Sequence, residues 1–334
     1  MININKLLGM FPIFGLVLCT SLVQADVTTV DFETGADGNS LANGLAITEA
    51  PAGNDDIMIR DSDGPTSRVP EGNGSQLVAV SNFFTITTTG DEHVGAAIFD
   101  STPRLSGGTS GPNAFPIPED GDIADPDLLV NSGNVLILQE DGGISGPDTR
   151  RDADGNLIFN RPDDDVNAGS IFFNFTQAVA PVSIDLIDFN GGAGGLVTLT
   201  DVNGNERAFT IPEEFTFDLA EVLHATEGDT LGDGDPSNDA EEGFATLTFD
   251  ESAPQSGEGR LDDDGNPIVT SVADTGAFDI NQVTTIEVGF SGSNPSGAID
   301  NLVFATAAVP EPTSGLLLGL VSVGIAARRR RTVA

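Results

Sequence analysis

The feature that most constrains this chain is a two-residue alternation of apolar and polar side chains. It recurs in short segments separated by Gly, Asp, Asn and Pro. Ala245, Leu247 and Phe249 fall on one side of an extended segment, and Thr246 and Thr248 on the other. Ile286, Val288 and Phe290 alternate with Thr285, Glu287 and Gly289 in the same way. A period of two places one face in a core and the other in water, which is the pattern of a β-strand. Candidate strands are Val27–Glu33, Ile57–Arg60, Gln76–Thr88, Val94–Phe99, Asn134–Gln139, Ser170–Thr176, Val182–Phe189, Leu196–Asp201, Arg207–Ile211, Phe244–Asp250, Thr284–Phe290 and Ala298–Phe304. They are rich in Val, Ile, Thr and Phe, which suit a pleated, half-buried surface. Asp201-Val-Asn-Gly-Asn205 places an Asn-Gly hairpin signal between two of them. A helical period is nearly absent; Phe217–Ala225 is the single short candidate. Many short strands with turn signals between them predict an all-β body, a β-sandwich or jelly roll. Stretches near 101–133, 225–243 and 251–267 are rich in Gly, Pro, Asp and Ser and read as long acidic loops or insertions. With no convincing tandem repeat, one elaborated sandwich over residues 26–307 is favoured over two domains.

The two ends read differently from the body. Lys6 precedes an apolar run from Leu7 to Leu22, and Val23-Gln-Ala25 sets small residues before a cut between Ala25 and Asp26. This predicts a secretory signal peptide over residues 1–25. The thin charge and the small-residue site argue against an uncleaved anchor. Cys19 would suggest lipidation, but Leu18 stands where a lipoprotein signal needs a small residue. At the other end, Pro310 and Pro312 flank Glu311, an apolar run spans Leu316 to Ala327, and Arg328, Arg329, Arg330 and Arg331 follow. The prolines leave an extended, protease-accessible peptide. The apolar run of 12 residues is short of the ~20 needed to cross a ~30 Å core, so it predicts a marginal, transient anchor in the inner membrane. The arginines keep that end cytoplasmic and place the body outside.

Val309-Pro310-Glu311-Pro312, the short apolar helix and the terminal arginines resemble the PEP-CTERM sorting signal of Gram-negative bacteria. The resemblance covers residues 308–334. It implies recognition through Pro310, Glu311 and Pro312 by an exosortase, a membrane cysteine protease, after the general secretion machinery has exported the chain. Arg328 to Arg331 would be the stop cluster, and the destination the outer surface or the exopolysaccharide matrix.

Charge limits the partners of the body. The chain has 13 Lys and Arg against 52 Asp and Glu. Its only lysine is in the leader and four arginines are in the tail, so the segment from Asp26 to Glu311 carries a formal charge near −44. Such a field repels nucleic acid and anionic lipid, attracts divalent cations and favours solubility in salt. It is equally the mark of a solvated acidic surface. Cys19 lies in the leader, so the mature body has no thiol chemistry.

A second, shorter resemblance concerns the body. Val30-Asp-Phe-Glu-Thr-Gly35, Val182-Ser-Ile-Asp-Leu-Ile-Asp-Phe189, Gly195-Leu-Val-Thr-Leu-Thr-Asp-Val-Asn-Gly204 and Ser296-Gly-Ala-Ile-Asp-Asn-Leu-Val-Phe304 look like phrases of galactose-binding-like jelly rolls. The resemblance implies that the first and last strands are neighbours. It also implies a structural Ca²⁺ between them, with Glu33 and Asp300 as the matching acids.

Chemistry is otherwise thinly marked. Carboxylates are so numerous that no acid/base pair stands out, and no Glu-x-Asp-x-x-Glu motif of laminarinase-like enzymes occurs. His93 and His224 lack companions for a zinc set. No Gly-x-Ser-x-Gly elbow or phosphate loop occurs; Gly191 to Gly195 is a glycine-rich turn between strands. Calcium is the leading chemical expectation because hard cations take clustered oxygens. Asp152, Asp154 and Asn156, and likewise Asp262, Asp264 and Asn266, hold positions 1, 3 and 5 of EF-hand-like loops. Both loops lack the later Gly and Glu, and Asp-Gly-Asn is also a common hairpin turn. Asp229, Asp233, Asp235 and Asp239 form a third acidic loop. Sugar binding would need Phe, since Trp and Tyr are absent. The sequence therefore predicts a secreted, exosortase-sorted, non-enzymatic β-sandwich, structural or adhesive in the envelope or polysaccharide matrix. A Ca²⁺-assisted carbohydrate-binding module is the alternative, and a polysaccharide-active enzyme ranks third.

Overall fold

The computed structural model describes residues 26–49, 58–59, 67–68, 73–90, 93–101, 132–140, 149–151, 155–159, 169–187, 189, 195–212, 215–216, 244–249, 256–261, 267–290 and 297–306. The signal peptide, the C-terminal helix, the helical candidate at 217–225 and most of the expected insertions lie outside these residues. The strands are β1 (Val27–Val30), β2 (Met58–Ile59), β3 (Ser67–Arg68), β4 (Phe84–Gly90), β5 (His93–Asp100) and β6 (Asn134–Glu140). Next come β7 (Thr149–Arg151), β8 (Leu157–Phe159), β9 (Gly169–Ile187), β10 (Gly195–Asp201), β11 (Glu206–Ile211) and β12 (Phe244–Thr248). The last are β13 (Ser256–Leu261), β14 (Pro267–Val269), β15 (Ser271–Asp274), β16 (Val283–Phe290) and β17 (Ala298–Thr306). The expectation of an all-β body holds. Every candidate strand overlaps an observed one, and the 251–267 stretch, read as a loop, carries the β13–β14 hairpin.

An open, antiparallel, 11-stranded sheet forms the body. Its axis is β9, a strand of 19 residues. Sequence alternation suggests two strands here, split around residues 177–181. The structure instead keeps the chain extended through Pro181, which pairs with Phe304. The first half of β9 pairs with β4 and β16, and the second with β17 and β12. One strand thus serves two half-sheets: β15-β11-β10-β16-β9-β4, and β12-β9-β17-β6-β5 with β1 beside β17. Strands that switch sheets through bends are how sandwich corners are made.

Both half-sheets feed one core. Phe84 and Phe175 from the first meet Phe304 from the second, and Phe173 packs on Phe84, with ring centroids 5.1–6.2 Å apart and edge-on geometry. Such pairs contribute about 0.5–1.5 kcal/mol each beyond area burial. This arrangement is consistent with a β-sandwich.

The second half-sheet is also covered on its other face. There Ala97, Phe99, Val135, Ile137, Leu157, Phe159, Ile187 and Ala298 form a separate apolar cluster with Ala46, partly supplied by the β7–β8 hairpin. Burial on both faces explains the unbroken Val135-Leu-Ile-Leu138 run. Leu136 and Leu138 enter the main core, and Val135 and Ile137 the smaller cluster.

The first half-sheet shows the opposite character. In register across it lie Thr87, Phe172, Glu287, Thr198, Ala208 and Ala273. A parallel row runs Thr85, Asn174, Thr285, Thr200 and Glu206, and another runs Thr89, Ser170, Gly289, Leu196, Thr210 and Ser271. These residues alternate with the core positions and make up the outer face.

Candidate functional site

The two ends of the body are brought together by β1 and β17. Val27 pairs with Ala305 and Val30 with Leu302, and the Thr306 N–H donates to the Asp26 carbonyl at 3.1 Å. Asp26, the residue expected to follow signal cleavage after Ala25, thus lies opposite Thr306, the last described residue of the body. The neighbouring of first and last strands is as the sequence implied. Because β17 lies inside the sheet, flanked by β9, β1 and β6, its end is held on both sides.

Where the ends meet, the chain turns sharply. Phe32 has φ +55 and its ring is fully buried. The turn leaves Asp31 and Glu33 exposed, and Asp31 Oδ1 accepts the Glu33 N–H at 3.2 Å. On β17, Asp300 pairs with Asp185 of β9, and the next pair is Val303 with Ser183. One extra residue on β17 makes a β-bulge, and Asn301 within it has φ +44. Asn tolerates this left-handed conformation better than most residues.

The bulge aims the Asn301 amide between two carboxylates. Its Nδ2 donates to Asp185 Oδ2 at 2.9 Å and to Asp300 Oδ2 at 3.1 Å. The Asn301 N–H donates to Asp300 Oδ1 at 2.7 Å, and the Ser132 hydroxyl to Asp300 Oδ2. The Thr246 hydroxyl donates to Asp185 Oδ1 at 2.6 Å. Asp300 is 1% exposed. Burial, reinforced by the charges of Asp185 and Asp31 and opposed by the Ser132 and Asn301 hydrogen bonds, pushes its carboxyl up to about 7.

Glu33 and Asp300, the acids matched to a shared Ca²⁺, both bind the segment 132–134. Glu33 Oε1 accepts the Asn134 N–H at 2.9 Å, while Ser132 is bound to Asp300. Between them Gly133 has φ +88, and a Cβ there would lie 2.1 Å from Glu33 Oε1. The positive φ favours glycine at this position. The two acids thus clamp a tripeptide, and a neutral amide fills the gap between Asp300 and Asp185. Among the described residues, no group of three or more His, Cys, Asp or Glu side chains could hold a metal ion. Asp31, Asp185, Ser132 and Asn301 were not singled out from the sequence; the repeated Ile-Asp of residues 184–185 and 299–300 was the available signal.

The other proposed calcium loops are illuminated by Asp201-Val-Asn-Gly-Asn205. Asp201 Oδ1 accepts the N–H groups of Asn203 and Asn205 at 2.8 and 2.9 Å. Its Oδ2 accepts Asn205 Nδ2 at 3.0 Å and the Asp279 N–H at 3.2 Å. Led by the Asn205 side chain, these bonds lower its carboxyl to about 2. Gly204 takes φ +77, and Thr200 pairs with Glu206 across the loop. The sequence places the same Asp-x-(Asp/Asn)-Gly-Asn order at 152–156 and 262–266. Those stretches join Arg151 to Leu157 and Leu261 to Pro267, which are paired in their own hairpins. Gly155 has φ +88. Asp152, Asp154, Asp262, Asp264 and Asn266 lie outside the described residues, as do Asp229 to Asp239, His224 and the His93 side chain.

The described body ends at Thr306, two residues before the tail begins to read as a sorting signal. Residues 308–331 match the PEP-CTERM protein-sorting motif. The match takes in Pro310, Glu311, Pro312 and Arg328 to Arg331. It marks the protein for export and for exosortase sorting at the membrane. No curated protein matches the chain. Among the described residues no helix is long and apolar enough to cross a membrane; the apolar run at 316–327 lies outside them.

Proposed function

We propose that this is a non-enzymatic structural or adhesive protein of the bacterial outer surface or exopolysaccharide matrix, delivered there as a folded jelly-roll-like body. The observation that carries this reading is the junction between body and sorting motif. The last strand closes at Thr306 and the motif begins at residue 308. A cut near Pro310 would therefore remove no described strand, no core residue and no part of the β1–β17 ribbon. Delivery and architecture are separable, as a surface component needs. The expected charge near −44 keeps the released body soluble in saline surroundings.

The test is intact-mass analysis of protein recovered from the cell surface. The mature chain should begin at Asp26 and lack Arg328 to Arg331. A surface-derived chain that retains the four arginines overturns the processing step, and a chain confined to the periplasm overturns the destination.

A further inference from the structure

We propose that the outer face of the β15–β4 half-sheet binds a neutral polysaccharide chain, with Phe172 as the stacking ring and Glu287, Asn174, Thr85, Thr87 and Thr285 as hydrogen-bonding partners. The proposal rests on delivery of the body to a polysaccharide-rich exterior and names the class of polymer met there.

The first observation is the distribution of charge. Between Asp26 and Glu311 the chain carries all 52 of its acidic residues. Yet the three registered rows across six strands contain only Glu206 and Glu287 as charged residues. Hydroxyl side chains take most of the other places. Adjacent strands lie about 4.8 Å apart and alternate residues along a strand about 6.8 Å, so these groups form a regularly spaced lattice of hydrogen-bonding sites.

The second observation is the centre of the lattice. Phe172 is half-buried on this outer face, although its neighbours Ile171 and Phe173 are in the core. It stands in register between Thr87 and Glu287. The Ser170 hydroxyl donates to Glu287 Oε1 at 2.9 Å, which holds the carboxylate beside the ring. Asn174 Nδ2 donates to Thr87 Oγ1 at 3.0 Å, which orients the amide in the adjacent row. An apolar ring flanked by a fixed carboxylate, an amide and hydroxyls matches a sugar, which offers C–H groups on its face and O–H groups at its edge.

Charge decides among occupants. Nucleic acid and polyuronates are repelled by the surrounding field. A second copy would bring two polyanions together. An apolar protein partner would find only Phe172 and Leu196 as large apolar side chains in the three rows. A neutral, hydroxyl-rich polymer meets none of these obstacles.

The experiment is affinity electrophoresis of the surface-released protein through gels containing a neutral β-glucan, a neutral galactomannan or alginate. Retardation by at least one neutral polymer and none by alginate is expected, unchanged by added salt or EDTA. Phe172→Ala should weaken it about tenfold, the loss of one stacking contact. Thr85→Glu, on an exposed position, should weaken it without disturbing the fold, and Val27→Ala, exposed on β1 in the other half-sheet, should leave it intact. The proposal is overturned by a lack of retardation in both neutral gels, by retardation in alginate alone, or by insensitivity to both face variants. Concentration-dependent dimers that Thr85→Glu abolishes would also overturn it and make the face a self-association surface. Failure of surface delivery would show separately, as protein retained in the periplasm.

Discussion

The two half-sheets that share β9 solve the same burial problem in different ways. The β15–β4 half buries one face and leaves the other polar. Its strands pair in simple register over Thr85 to Gly90 and Leu196 to Thr200. In the β12–β5 half, β17, β6 and β5 meet apolar clusters on both faces, β6 runs apolar without alternation, and bulges interrupt the β9–β17 pairing. There Asp300 is buried beside Asp185, and there the ends of the body meet. Regular alternation leaves one face polar and in water, whereas double burial and the β9–β17 bulges hold the junction.

Substitutions can break this comparison at different depths. The largest effect is expected at the joint between the halves: Phe304→Ala should cost about 3–5 kcal/mol in denaturant unfolding. Thr85→Ala on the outer face should stay within about 0.5 kcal/mol. Equal losses would show that the halves do not depend on a common core.

The bulged half should also respond to pH. Asp300 is raised in the folded state from an ordinary 3.8 to about 7. Its contribution to stability is therefore fully present below the unfolded value and is lost as pH rises through the folded one. The melting temperature should fall between about pH 4 and about pH 7, and Asp300→Asn should flatten that part of the curve relative to the parent. Parallel curves for the two proteins would refute a buried, proton-holding Asp300.

The smallest effect belongs to the regular half. Asp201→Ala should lower the melting temperature slightly and speed amide exchange at Asn203 and Asn205, whose N–H groups it removes from a carboxylate. Asp201 is depressed from 3.8 to about 2, so its contribution is present above the unfolded value and lost as pH falls through the folded one. The difference from the parent should vanish in strong acid. Unchanged exchange at both amides would mean that the loop is held by Gly204 and the strands alone.

Legibility in the sequence followed the strands that keep one wet face, in either half. Phe244–Thr248 and Val283–Phe290 were visible because one face is wet, and the Asn203-Gly204 turn because only a few residues accept its backbone. The pairing of β7 and of β13 was not visible. Thr149-Arg-Arg151 and Ser256-Gly-Glu-Gly-Arg-Leu261 carry little β preference and become strands through their partners. The continuity of β9 was hidden by Pro181 and by the change of phase near Val182 and Ser183, where the inward positions pass from odd to even numbers. Asn301 passed without remark inside the candidate strand Ala298–Phe304, since nothing local announces that it will stand between two aspartates.

By itself the sequence determined the all-β class, the hairpin at Asp201–Asn205, the acidic character of the body and the sorting tail, because each depends on short-range periodicity, turn chemistry or summed charge. Tertiary structure alone decided that Glu33 and Asp300 clamp the segment 132–134, that Asp185 joins them through Asn301, and that Phe172 lies in register with Glu287 and Thr87. These groups are distant in the chain and meet only through strand register, where one extra residue in a bulge turns every later side chain to the opposite face.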